Sequence, residues 1–129
     1  MEGRKIVLVV EDDVRLLRLI IKKLEVSGIS SVSAVSVKEG LELLEKNDIS
    51  VIWLDHYLMG KENGLDFVAT IKKDDSPWKN IPIIIVSNTA TSDKVQSYMK
   101  LGVHKYYTKA DTNLERVVSD IEEILKEQE

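Results

Sequence analysis

Apolar positions recur along the chain in two periods. Short β-branched runs at residues 5–10, 31–35, 51–54, 83–86 and 105–108 have the length and composition of strands. Between them the spacing turns helical: Leu17, Ile20, Ile21 and Leu24 share one face, as do Leu114, Val117, Val118, Ile121, Ile124 and Leu125 near the end. Ser36 with Glu39, and Thr112 with Glu115, have the spacing of capping boxes, while Gly28 and Gly102 sit where helices should stop. Strands 1, 3 and 4 are apolar almost throughout, the pattern of parallel strands covered by helices on both faces. Five alternations with no internal repeat predict an α/β fold, a single (βα)5 doubly wound parallel sheet, as one domain over residues 1–129.

Composition adds bounds to this picture. A chain of 129 residues can bury a core without staples, and the absence of cysteine leaves neither disulfides nor thiolate metal sites, which suits a reducing cytoplasm. The longest apolar runs are too short to span a bilayer, and the opening "MEGRK" has no signal-peptide core. The expected setting is cytoplasmic, with no membrane contact. A net charge of −4 argues against direct nucleic-acid binding, which normally needs a basic face. The closing "KEQE" is either a chain end or the edge of a longer protein.

The chemistry lies at the strand ends. In a doubly wound sheet ligands bind beyond the carboxyl ends of the strands. Strand 1 ends in Glu11 and Asp12, strand 3 in Asp55, strand 4 in Ser87 and strand 5 in Lys109. Three carboxylates around one point, with a backbone carbonyl nearby, make an all-oxygen site suited to a hard cation such as Mg2+. One carboxylate could then attack phosphorus and form an acyl phosphate, with Mg2+, Lys109 and the Ser87 hydroxyl neutralising charge. Asp55, at the end of the central strand, is the natural nucleophile.

These residues carry a resemblance. "VLVVEDD", "VIWLDHYL", "GLDF", "IPIIIVSNTA" and "YYTKA", in this order and spacing, resemble the receiver domain of two-component response regulators over residues 4–126. The resemblance implies a flavodoxin-like sheet of strand order 2-1-3-4-5. It implies Asp55 as phosphoacceptor, Glu11 and Asp12 as metal-binding acids with Asp12 the more direct, and the Tyr57 backbone carbonyl as a further metal ligand. Ser87 then matches the switch hydroxyl, Lys109 the phosphate-pairing lysine and Tyr106 the aromatic switch. Asp13 matches no required position and is assigned to capping the first helix. The implied activity is acceptance of a phosphoryl group from a histidine kinase or a histidine phosphotransfer protein, followed by slow autodephosphorylation, with no turnover as an enzyme. The implied partners are a downstream effector protein or an attached output domain, and a phosphorylation-dependent homodimer through helix 4, strand 5 and helix 5.

Three positions depart from the family pattern. Met59 stands where proline is usual, the "MGKEN" loop is one residue longer before Gly64, and Ala110 replaces the proline after Lys109. The Lys109–Ala110 bond, often cis in the family as Lys-Pro, is therefore open to a trans geometry, since a non-proline cis bond costs roughly 2.5–4 kcal/mol. Tyr57 and Asn88 are expected at the water entrance behind the phosphorus. Both crowd the water path, with Tyr57 dominating, unless Asn88 instead positions the water. His56 and His104 lack ligand partners in the sequence and are taken as surface residues; Trp53 and Trp78 are taken as structural, and one of Tyr106 and Tyr107 should face solvent.

Other classes fit less well. A flavodoxin-type electron carrier needs a first loop that cradles phosphate with hydroxyls and amides, and here that loop is acidic. A haloacid-dehalogenase-like phosphatase places its nucleophile first in Asp-x-Asp after strand 1, where this chain has Glu11. A pseudo-receiver acting as a phosphorylation-independent interaction module remains the alternative, although such modules normally lack a reactive residue and none is missing.

Overall fold

The computed structural model describes residues 5–129, so the N-terminal leader reading lies outside the described residues. Ten elements alternate: β1 (Ile6–Val10), α1 (Val14–Val26), β2 (Ser30–Ala34), α2 (Val37–Lys46), β3 (Val51–Leu54), α3 (Gly64–Ile71), β4 (Ile83–Ser87), α4 (Ser92–Leu101), β5 (Lys105–Thr108) and α5 (Leu114–Glu127). All strand pairs are parallel, in the order 2-1-3-4-5.

The apolar strands divide their residues between two layers by the strand's two-residue period. Val7, Val9, Val51, Trp53, Ile84 and Val86 face α1 and α5, with Leu17, Ile20, Leu24, Val117 and Ile121 closing that layer. Leu8, Val10, Ile52, Leu54, Ile83 and Ile85 face the opposite side, where Leu44, Phe67, Val68 and Tyr98 from α2, α3 and α4 meet them. Coverage on both faces also settles the two tyrosines of β5. Tyr107 packs in the α1/α5 layer and Tyr106 against the α4 side, so neither points freely to solvent as expected from alternation alone.

Several ends differ from the sequence reading for local hydrogen-bonding reasons. Strand 2 runs 30–34 rather than 31–35, because the Val35 amide leaves the ladder and donates to Glu39 Oε1 at 2.9 Å. The Ser36 hydroxyl caps α2 by accepting from the Glu39 amide at 3.2 Å, so the box is completed one residue early. Helix α5 is capped by Asn113 and not Thr112: residues 109–111 form a turn of 3-10 helix, and Asn113 Oδ1 accepts from the Arg116 amide at 2.8 Å. Asp13 caps α1 as expected, accepting from the Arg15 and Leu16 amides. Trp53 is buried and Trp78 half-buried. Among the described residues no peptide bond is cis, so Lys109–Ala110 is trans. No helix among the described residues is long and apolar enough to cross a membrane.

Candidate functional site

Parallel strands of one sheet end on one rim, and the ladder carries the acids there. The Glu11 amide donates to the Ala34 carbonyl at 3.0 Å and the Asp55 amide to the Val10 carbonyl at 3.0 Å, so each acid is fixed as the next backbone step after its strand. Ser87 closes β4 opposite Thr108, which places Lys109 directly beyond it.

The predicted residues converge. Carboxylate oxygens of Glu11, Asp12 and Asp55 lie within 4.8 Å of one another. Glu11 and Asp55 are buried, at 1% and 4% exposure. Lys109 Nζ donates to Glu11 Oε1 at 2.9 Å and to Asp55 Oδ2 at 3.4 Å. The His56 amide donates to Asp55 Oδ1 at 2.7 Å, and the Asp13 amide to Glu11 Oε2 at 3.1 Å. Burial, followed by the charge of Asp55, pushes the Glu11 carboxyl up to about 7 against the opposing pull of the Asp13 amide and Lys109. Burial would lower Lys109, but its hydrogen bond to Glu11 and the charge of Asp55 outweigh that and hold its ammonium above the ordinary lysine value.

One ammonium faces three carboxylates, a surplus of acid that a divalent cation would neutralise. The donor set is all oxygen, which fits Mg2+. Ser87 Oγ gives a second indication of a ligand. It is fully buried and, among the described residues, is the one buried side-chain polar atom without a hydrogen-bond partner. A buried hydroxyl left unpaired is costly, and such groups mark places where another molecule supplies the partner.

With that geometry in place, the comparison with known proteins is specific. The family model "Response regulator receiver domain" matches residues 7–122. The chain belongs to this family. The receiver is 32% identical over 108 residues to the chemotaxis protein CheY1 of Helicobacter pylori, covering 81% of this chain and 86% of that one. It is 29% identical over 113 residues to an NtrX-like response regulator of Rickettsia conorii, covering 87% of this chain but only 23% of the relative. Among solved structures, a receiver domain protein from Methanospirillum hungatei superposes with a TM-score of 0.86 at 24% identity, over 98% of this chain and 97% of the other, a likeness of fold.

Other expectations meet a different arrangement. His56 is buried at 5% exposure, not on the surface, and its Nδ1 lies 2.6 Å from the Tyr98 hydroxyl; His104 is exposed as expected. The Tyr57 side chain is 52% exposed, and its hydroxyl accepts from Lys94 Nζ at 3.0 Å. The same ammonium donates to Thr89 Oγ1 at 2.8 Å and stands 4.7 Å from the Tyr57 ring centroid. That contact lowers the Tyr57 phenol below its ordinary value. Asn88 is exposed, and it is Thr89 that reaches the Tyr57–Lys94 contact. Tyr106 is half-buried, and its hydroxyl already donates to the Thr89 carbonyl. Lys94, Thr89 and Tyr98 were not singled out in the sequence. The Lys94–Tyr57 and Tyr98–His56 contacts bridge 37 and 42 residues, and no local spacing marks them.

Proposed function

We propose that this receiver accepts a phosphoryl group on Asp55. The observation that carries the reading is the Asp55 carboxylate, buried in a three-acid cluster with the Lys109 ammonium 3.4 Å from its Oδ2. The donor is the phosphohistidine of a histidine kinase or histidine phosphotransfer protein. An Asp55 oxygen attacks phosphorus, the N–P bond breaks, and the departing imidazole nitrogen takes a proton from solvent. The product is an aspartyl phosphate that hydrolyses slowly, with no turnover of a separate substrate.

Glu11, Asp12, Asp55 and the Tyr57 backbone carbonyl would hold Mg2+, which when bound neutralises charge on the phosphoryl oxygens. Lys109 orients the group from the other side, and the unpartnered Ser87 hydroxyl is free to donate to one of its oxygens. Tyr106 follows the movement of Ser87, altering the face made by α4, β5 and α5 for a partner, an attached output domain or a second copy of the chain. The intact set of Glu11, Asp12, Asp55, Ser87 and Lys109 supports this reading over a module that only binds partners. The domain acts in the cytoplasm, where such kinases present their phosphohistidine.

The test is mass spectrometry after incubation with acetyl phosphate and magnesium. Gain of one phosphoryl group is expected, absent in Asp55→Asn and reduced in Asp12→Asn. An equal gain in Asp55→Asn, or no gain in the natural chain, overturns the assignment.

A further inference from the structure

A second connection runs from the acidic site to α4, separate from Ser87 and Tyr106. Tyr98 is fully buried in the layer of α2, α3 and α4, and its hydroxyl meets His56 Nδ1 at 2.6 Å. The backbone of the same histidine touches the site. Its amide donates to Asp55 Oδ1 at 2.7 Å, and its carbonyl accepts from the Gly64 amide at 2.8 Å. Gly64 is what lets these segments close up: a Cβ there would collide with the Tyr98 hydroxyl and lie 2.8 Å from the Asp55 carbonyl oxygen and 3.1 Å from His56 Cα. The end of β3, the start of α3 and the middle of α4 therefore meet with no spare volume. Beyond this point, the His56 ring stands edge-on to Tyr57 at 4.7 Å, and the Tyr98 ring is 5.7 Å from Tyr106.

We propose that the Tyr98–His56 hydrogen bond positions the Asp55 carboxylate and couples its occupancy to α4. For its functional consequence the proposal rests on Asp55 being the phosphoacceptor. The physical argument is one of constraint. His56 contributes its amide to Asp55 and its ring to Tyr98, so a shift of the Asp55 carboxylate toward a bound group either moves α4 or strains a buried hydrogen bond. A buried polar pair is costly to separate, because each partner then lacks water as well as its mate. Coupling of this kind is reciprocal: whatever grips α4 alters how readily Asp55 takes up a ligand. Tyr98 and His56 are positioning residues, since neither side chain reaches the carboxylate itself.

Tyr98→Phe keeps the packed ring and removes only the hydroxyl. In the free chain it should accelerate amide hydrogen exchange at His56 and Gly64 by about five-fold, the equivalent of one hydrogen bond, while amides of α1 and α5 stay unchanged. In a second measurement beryllofluoride with magnesium, a phosphoryl mimic, is added and backbone NMR shifts are followed. The natural chain should show shifts through residues 92–101. In Tyr98→Phe beryllofluoride should bind more weakly, and the shifts through residues 92–101 should shrink while those at Ser87 and Tyr106 persist. His56→Leu, which removes the other partner, must reproduce both patterns, and it decides the matter should Tyr98→Phe loosen the whole domain. Unchanged exchange at His56 and Gly64, or α4 shifts as large in the variants as in the natural chain, overturns the proposal. Failure of the natural chain to bind beryllofluoride at all would instead sink the phosphoacceptor reading, and the exchange measurement would still decide whether the hydrogen bond holds the loop.

Discussion

Removing the Lys109 ammonium is the perturbation whose size the geometry best defines. Its Nζ lies 2.9 Å from Glu11 Oε1 and 3.4 Å from Asp55 Oδ2, with the lysine side chain 19% exposed and the acids 1% and 6%. At an effective dielectric near 20 these attractions come to roughly 6 and roughly 5 kcal/mol. Against them stands the cost of taking three charges out of water, several kcal/mol per ion. Breaking a buried pair by deleting one partner typically costs about 3–5 kcal/mol, and the partial access of Lys109 to water places Lys109→Met near the lower end, about 3 kcal/mol.

The same deletion should make the site a better magnesium ligand, because the metal no longer competes with a fixed cation. Magnesium at about a hundred times its dissociation constant stabilises a binding-competent chain by about 2.7 kcal/mol, so it should return most of what Lys109→Met loses. The assay is urea denaturation of both chains near pH 8.5, above the raised Glu11 value of about 7, with chelator and then with magnesium. The variant should lose about 3 kcal/mol in chelator and gain more from magnesium than the natural chain does. A loss below about 0.5 kcal/mol, or equal stabilisation of both chains by magnesium, refutes the reasoning.

Three further outcomes follow from named contacts. Burial works against the Asp120 charge, but the Tyr107 hydroxyl and Lys105 outweigh it and hold this carboxyl below its ordinary value. Its stabilisation is thus present at neutral pH and lost as pH falls through the folded value, so Tyr107→Phe should cost about 1 kcal/mol at pH 7, with the gap closing below about pH 4 in denaturation curves. Met59→Pro deletes the amide that donates to the Val35 carbonyl at 3.1 Å and should lower stability by about 1 kcal/mol, measured the same way; a neutral result would mean the loop does not depend on that bond. Tyr57→Asn takes away the ring that Lys94 holds, and the aspartyl phosphate should then decay several-fold faster, about 1 kcal/mol less barrier, read from phosphate loss after the donor is removed.

The sheet and its acidic rim were legible in the sequence because both rest on local signals. β-branched runs fix the strands, and the residue after each run falls on one edge whatever the helices do between. Glu11, Asp55, Ser87 and Lys109 are such residues; the structure brings Glu11, Asp55 and Lys109 into contact and ends β4 with Ser87 opposite Thr108. Side-chain partners across the fold were not legible. His56 reads as a lone polar residue after an aspartate until Tyr98, on α4, is folded against it. Asn88 stands out in the sequence as the residue next to Ser87, but it is Thr89 that shares the Lys94 ammonium with Tyr57. At the start of α5, Thr112 and Asn113 both carry capping side chains, and the turn of 3-10 helix over residues 109–111 selects the second.

The departures from the family pattern become physically connected once the hydrogen bonds are followed. Where proline is usual, Met59 has an amide to give, and it gives it to Val35, forming an isolated parallel bridge between Met59 and Ser36. At the other end of the same loop, Gly64 donates to the His56 carbonyl, and the Asn63–Asp66 capping box fixes the start of α3. The loop is therefore tied at both ends, with the exposed stretch 60–62 between the ties. Both anchors of the loop are backbone hydrogen bonds, from Met59 to Val35 and from Gly64 to His56. What remains in contact with Asp55 through its neighbour is the buried side chain of His56, and that side chain ends on α4.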